Sequence, residues 1–85
     1  DKLYVDINVK GDFLIVKNDD RPGIVGAIGT ILGKAGSNIA NLSLARNKSE
    51  GNALSVIQLD QPLPENVMVE IRSTEGLIYA TGVSL

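Results

Sequence analysis

The residues best able to do chemistry lie in one short polar run, Asn18-Asp19-Asp20-Arg21, followed at once by Pro22-Gly23. A carboxylate such as Asp20 can hold an ammonium group, while Asn18 and the more distant Asn38 can make neutral hydrogen bonds. The run stands immediately before a segment of helical apolar spacing, so the backbone amides that open that helix can receive an anion. Together these groups suit an amino-acid zwitterion, which carries one charge of each sign. The same residues also serve ordinary turn and helix-cap chemistry, and spacing alone leaves both readings open.

What is missing narrows the field further. The 85 residues include no Cys, no His and no Trp. Thiolate and imidazole nucleophiles, CxxC metal sites, haem attachment and the usual neutral-pH general base are thereby removed. No catalytic residue, metal or cofactor is expected in this segment, which is not read as an enzyme by itself. Eight Lys+Arg against ten Asp+Glu give a net charge of -2, without runs of one sign, so no nucleic-acid partner is expected. The longest apolar stretch, Phe13-Leu14-Ile15-Val16, falls far short of the roughly 20 residues a membrane span requires, and no leader-like segment opens the chain. The expectation is a cytoplasmic module, and Asp1 in place of Met is expected of a piece excised from a longer protein. Hydrophobic residues at 44% are enough for folding. A chain of this size buries only roughly 60% of its unfolded surface, so association with another body is expected.

The elements that position the polar run follow from periodicity. Leu3, Val5, Ile7 and Val9 alternate with polar residues, which predicts an N-terminal edge strand ending in the Gly11-Asp12 turn. Phe13 to Val16 is a β-prone run suited to a central strand covered on both sides or tucked under helices. Pro22 suits a first helical turn, and Ile24, Ile28, Ile31, Leu32 and Ala35 recur at helical spacing until Gly36. Ile39 to Arg46 resumes strand character, with Ala40, Leu42 and Leu44 on one face and Asn41, Ser43 and Ala45 on the other. Residues 48–52 form a hairpin loop, Ala53 to Leu59 the next strand, and Gln61-Pro62-Leu63-Pro64 leads to a second helix. In that helix Val67, Met68 and Ile71 form the buried stripe, with Glu65 and Arg72 at the ends their charges favour. Gly76 ends it, and Leu77 to Leu85 is the last strand. The order implies an α+β, ferredoxin-like βαββαβ sandwich: a four-stranded antiparallel sheet with two helices on one face. Residues 1–12 are read as a lead-in strand and turn, and residues 13–85 as the domain proper.

On a helical wheel Gly26, Gly29 and Gly33 gather nearly opposite the apolar arc. Each costs about 1 kcal/mol relative to Ala. Either a partner backbone or a small ligand comes close to this face, or it is a tolerated solvent face. The spacing of Gly23, Gly26 and Gly29 is GxxGxxG, which does not fit the GxGxxG phosphate loop.

The string from Val16 to Gly26, the continuation Ile28-Gly29-Thr30-Ile31-Leu32-Gly33 and the later Asn38-Ile39-Ala40 resemble the ACT domain. The copy it resembles most is the one at the C-terminus of D-3-phosphoglycerate dehydrogenases. The D-R-P-G motif at 20–23, Asp60-Gln61-Pro62, Glu70-Ile71 and Val5-Asp6 followed by Gly11 extend the likeness over nearly the whole chain. The resemblance implies a regulatory module that dimerises, often side by side into a continuous eight-stranded sheet, and binds an amino acid at the interface. In that dehydrogenase the effector is typically L-serine, a feedback inhibitor, so L-serine or another small amino acid is the ligand the resemblance implies. Ligand-contacting positions carry over to Asn18, Asp20 and Asn38, with Pro22-Gly23 supplying backbone amides. Gly26, Gly29 and Gly33 carry over as an interface with a second copy. The implied partners are that second ACT domain and the catalytic domains of an NAD-dependent parent.

Other readings compete. The β portion of an iron-sulfur L-serine dehydratase also carries such a domain, and a ligand-free dimerisation module would need the same fold. An acylphosphatase-like enzyme would need a VxGVxFR cradle that the chain lacks. An RNA-recognition module would need exposed aromatics on the central strands, whereas Tyr4, Phe13 and Tyr79 are the only aromatic residues.

Overall fold

The computed structural model describes residues 11–85. The edge strand expected over Leu3 to Val9, and most of the lead-in read over 1–12, lie outside the described residues. The elements run β1 (Asp12–Asp19), α1 (Ile24–Lys34), β2 (Ile39–Asn47), β3 (Asn52–Leu59), α2 (Glu65–Arg72) and β4 (Leu77–Ser84). The sheet has the order β2-β3-β1-β4 with every neighbour antiparallel, so the expected βαββαβ sandwich is the fold observed. Its first strand begins at Asp12, and Gly11 already exchanges two backbone hydrogen bonds with Leu85.

Alternation divides each strand between two environments. Leu14, Val16 and Asn18 of β1 are buried together with Ile24, Ile28 and Leu32 of α1 and Val67, Met68 and Ile71 of α2. The helices contribute these residues at three- and four-residue spacing, as a helix with one buried face must. Phe13, Ile15 and Lys17 face the other way and stay only half-buried. The Phe13–Val16 run is thus central in the sheet and tucked under the helices on one face, the second of the two arrangements expected of it. A two-layer sandwich of this length has no third layer to supply.

Helix α1 begins at Ile24, not at Pro22. Gly23 is its N-cap, with φ of 93° and no side-chain cap. Gly26 and Gly33 are exposed and Gly29 half-buried, and a Cβ on any of the three would meet nothing within 4 Å in this chain. Their absence of side chains is therefore not required by the chain's own packing. In dilute monomeric protein, Gly33→Ala should raise the unfolding free energy by about 1 kcal/mol, read from the urea midpoint. No change or a loss there would mean that the helix face is already occupied.

The two sheet edges differ. At β4, Arg72 donates from Nε and Nη2 to the Ala80 carbonyl at 3.3 Å, and a register shift between Lys17 and Asn18 leaves Ile78 unpaired. Bulges and covering side chains of this kind block a sheet edge. At β2 every residue is exposed, including Leu42 at 46% and Leu44 at 50%. A register shift between Ile39 and Asn41 sets Ala40 out of line, so Ala40 does not continue the Leu42 and Leu44 face as alternation suggested. From Asn41 to Asn47 the pairing with β3 is regular, and among the described residues nothing pairs with the outer side of β2.

Candidate functional site

At the end of the sheet where β1 stops, three loops meet. Asp19 N–H donates to the Gly76 carbonyl at 2.8 Å, and Asp20 N–H donates to the Gly51 carbonyl at 2.9 Å. The α2–β4 turn and the β2–β3 hairpin thus fix the backbone that leads into α1. Asp20 is fixed a second time through its side chain. Arg46 Nε, at the far end of β2, donates to Asp20 Oδ1 at 3.2 Å. The Asp20 side chain is 22% exposed and that of Arg46 60% exposed. Arg21 turns the other way, with Nε 3.7 Å from Asp19 Oδ2.

Arg46 is the site residue that sequence reasoning passed over. Cross-strand pairing places it in one row with Ala53 and Asn18, on the helix-bearing face where Leu42 and Leu44 also lie. The available signal was strand alternation: a period of two from Leu42 and Leu44 carries the next residue of that face to Arg46, an unusual place for a charge.

Asn18 sits beneath this cluster, not on its surface. It is 1% exposed, and its Nδ2 donates to the Asp19 carbonyl at 2.6 Å. Its Oδ1, like Ser55 Oγ on the neighbouring strand, has no hydrogen-bond partner among the described residues. Pro22 and Gly23 line an open groove of about 350 Å³ with Arg21, Ile24, Ala27, Thr74 and Glu75. The first helical bond runs from Ala27 N–H to the Gly23 carbonyl, and no acidic side chain occupies the first turn. That leaves a helix start able to receive an anion, while Asp20 and Arg46 are not among the residues that line this groove.

Asn38 is not brought to this cluster within the chain. It lies in the α1–β2 loop at the opposite end of the sheet, where Asp60 N–H donates to its carbonyl at 3.3 Å. There it lines a separate recess with Ala35, Gly36, Ser37, Asp60, Gln61, Pro62 and Pro64. Strand β1 spans eight residues, so Asn18 and Asp20 stand roughly 20 Å or more from that recess. Gly26, Gly29 and Gly33 lie along α1 between the two ends. Among the described residues, no group of three or more His, Cys, Asp or Glu side chains could hold a metal, and no helix is long and apolar enough to cross a membrane.

A four-stranded antiparallel sheet with two helices on one face, in the order β-α-β-β-α-β, defines a ferredoxin-like α+β module. The family profile described as ACT domain matches residues 13–76. The chain belongs to the ACT domain family. It is 33% identical over its whole length to D-3-phosphoglycerate dehydrogenase of Synechocystis sp., and 33% identical, again over the whole chain, to that of Archaeoglobus fulgidus. It covers 15% and 16% of those proteins. The Mycobacterium tuberculosis protein of the same name is 38% identical over 80% of the chain. Among solved structures, the ACT domain from GTP pyrophosphokinase of Chlorobium tepidum superposes with a TM-score of 0.68 at 15% identity, covering 85% of this chain and 95% of that one. A formyltetrahydrofolate deformylase from Pseudomonas syringae gives 0.67 at 18% identity, covering 84% of this chain and 26% of that one. At such identities the likeness is one of fold alone.

Proposed function

We propose that this chain is the L-serine-sensing domain of an NAD-dependent, cytoplasmic D-3-phosphoglycerate dehydrogenase, and that it works as a side-by-side dimer. The observation that carries the ligand reading is Asp20, held through its backbone by the β2–β3 hairpin and through its side chain by Arg46, four residues before an uncapped helix start. Its carboxylate takes the ligand's ammonium group, and the amides of the first turn of α1 take the carboxylate. Relatives bearing the dehydrogenase name, matched over the whole chain, support the parent assignment.

The unpaired edge of β2 supports the dimer. Antiparallel pairing of two β2 strands joins their sheets, sets both α1 helices on one face, and covers Leu42 and Leu44. The same pairing carries Asn38 of one copy towards the Arg46 end of the other, which completes the site that a single chain leaves divided. A ligand held by both copies biases their relative orientation through its differential affinity, and so the catalytic cleft of the parent.

Isothermal titration of L-serine into the 85-residue chain tests this. Saturable heat is expected, and Asp20→Asn should weaken binding by about 10- to 100-fold, the worth of one charge-assisted contact. The variant's own unfolding should shift by less than about 1 kcal/mol, because the exposed pair it breaks contributes little. A chain that takes up no amino acid is instead a structural dimerisation module, the reading favoured by Arg46 already occupying Asp20.

A further inference from the structure

The contact between Arg46 and Asp20 joins residues 26 positions apart, from the end of the edge strand to the loop that opens α1. It uses Nε of the guanidinium and Oδ1 of the carboxylate, and the Arg46 side chain remains 60% exposed. A carboxylate alone would attract any small cation. Paired with a guanidinium, it becomes a neutral dipole whose natural complement is a second neutral dipole. An amino-acid zwitterion is such a group, with its ammonium and carboxylate on one carbon.

We infer that Arg46 makes the Asp20 site select a zwitterionic amino acid over a simple amine, by giving the ligand carboxylate a charged, fork-shaped donor next to the Asp20 carboxylate. This rests on the amino-acid reading above and goes beyond it in naming the group that sets the ligand class. Asp20 then has two tasks: Oδ1 holds and orients Arg46, while Oδ2 remains for the ligand's ammonium group. Arginine suits the first task because its planar fork accommodates one carboxylate through Nε and a second through its terminal nitrogens. Its position matters as well. Arg46 is the last residue but one of the edge strand β2, so in the proposed side-by-side dimer a ligand drawn to its guanidinium lies near the junction of the two copies.

The discriminating pair of probes is L-serine and ethanolamine, which share the amine and hydroxyl and differ in the carboxylate. In titrations of the 85-residue chain, wild type is expected to bind L-serine at least about 30-fold more tightly than ethanolamine. Arg46→Ala should lose about 10- to 100-fold in L-serine affinity while ethanolamine stays within about threefold, and Arg46→Lys should fall between, keeping the charge without the fork. The thermal midpoint without ligand should move by no more than about 2 °C, as for an exposed ion pair. An Arg46→Ala chain that keeps the wild-type preference for L-serine overturns this inference and leaves the amino-acid reading standing. A wild-type chain that binds the two probes equally well overturns it too, and one that binds neither overturns both.

Discussion

Replacing Gly76 by alanine should cost about 3 kcal/mol of stability and lower the urea midpoint by roughly 2 to 3 M. Two independent penalties combine. Gly76 has φ of 91°, a left-handed conformation that costs an L-residue with a Cβ about 1–2 kcal/mol. A Cβ there would also run into Ile24 Cδ1 and the Arg21 guanidinium. Ile24 is buried at the start of α1, so its Cδ1 and Cγ1 must shift within the core to admit a Cβ, and this overpacking adds about 1–3 kcal/mol. The total is a large share of the roughly 4–13 kcal/mol that an 85-residue domain possesses. The consequence reaches the site, because the Gly76 carbonyl holds Asp19 N–H. Gly51→Ala is the control: its φ is 71°, but a Cβ there meets nothing within 4 Å, so about 1 kcal/mol is expected. Equal midpoints for the two variants would show that the α2–β4 turn does not pack on the entrance to α1.

Leu44→Lys should convert the chain from dimer to monomer, with self-association weakened by about 100-fold or more in sedimentation equilibrium. Leu42 and Leu44 are 46% and 50% exposed on the helix-bearing side of the β2 edge. Burying the exposed half of a leucine contributes about 1 kcal/mol, and a two-fold interface counts each residue twice. Lysine removes that gain in both copies and adds like charges that must be desolvated together, for a loss of about 3 kcal/mol. Lysine on an edge strand is also the residue that natural sheets use to prevent pairing. The monomer itself should unfold within about 0.5 kcal/mol of wild type, because the substituted side chain is exposed. A wild-type chain that is already monomeric at tens of micromolar would remove the side-by-side dimer, and an unaffected Leu44→Lys dimer would move it to another surface.

Most of the architecture was legible because each element carries its own signal. The four-residue recurrence of Ile24, Ile28 and Leu32 and the Val67, Met68 and Ile71 stripe identify the buried helix faces without any partner. The strand order follows once two βαβ halves share one hairpin. The polar run at 18–21 was equally visible as a candidate site, but its internal arrangement was not. Asn18 and Asp20 are two residues apart and look equivalent in the sequence, yet one is buried beneath α1 and the other lies at the surface. A strand continued to Asp19 turns Asn18 inward by alternation, and only the observed end of β1 settles that. Asn38 looked close because it follows the same helix, but eleven helical residues carry it to the far end of the sheet.

The sequence by itself determined the class of the protein. Apolar periodicity set the elements and their order, and the D-R-P-G loop marked the family. Those properties are local, so a linear string can carry them. The tertiary structure alone decided which groups share a site: Arg46 meets Asp20 across 26 residues, Gly76 and Gly51 fix the loop between them, and Asn38 is sent away. It also distinguished the blocked edge at β4 from the unpaired one at β2. The physical reason is that cross-strand register and strand order bring distant residues together. A single misplaced residue, such as the bulged Ala40 or Ile78, changes which side chains meet.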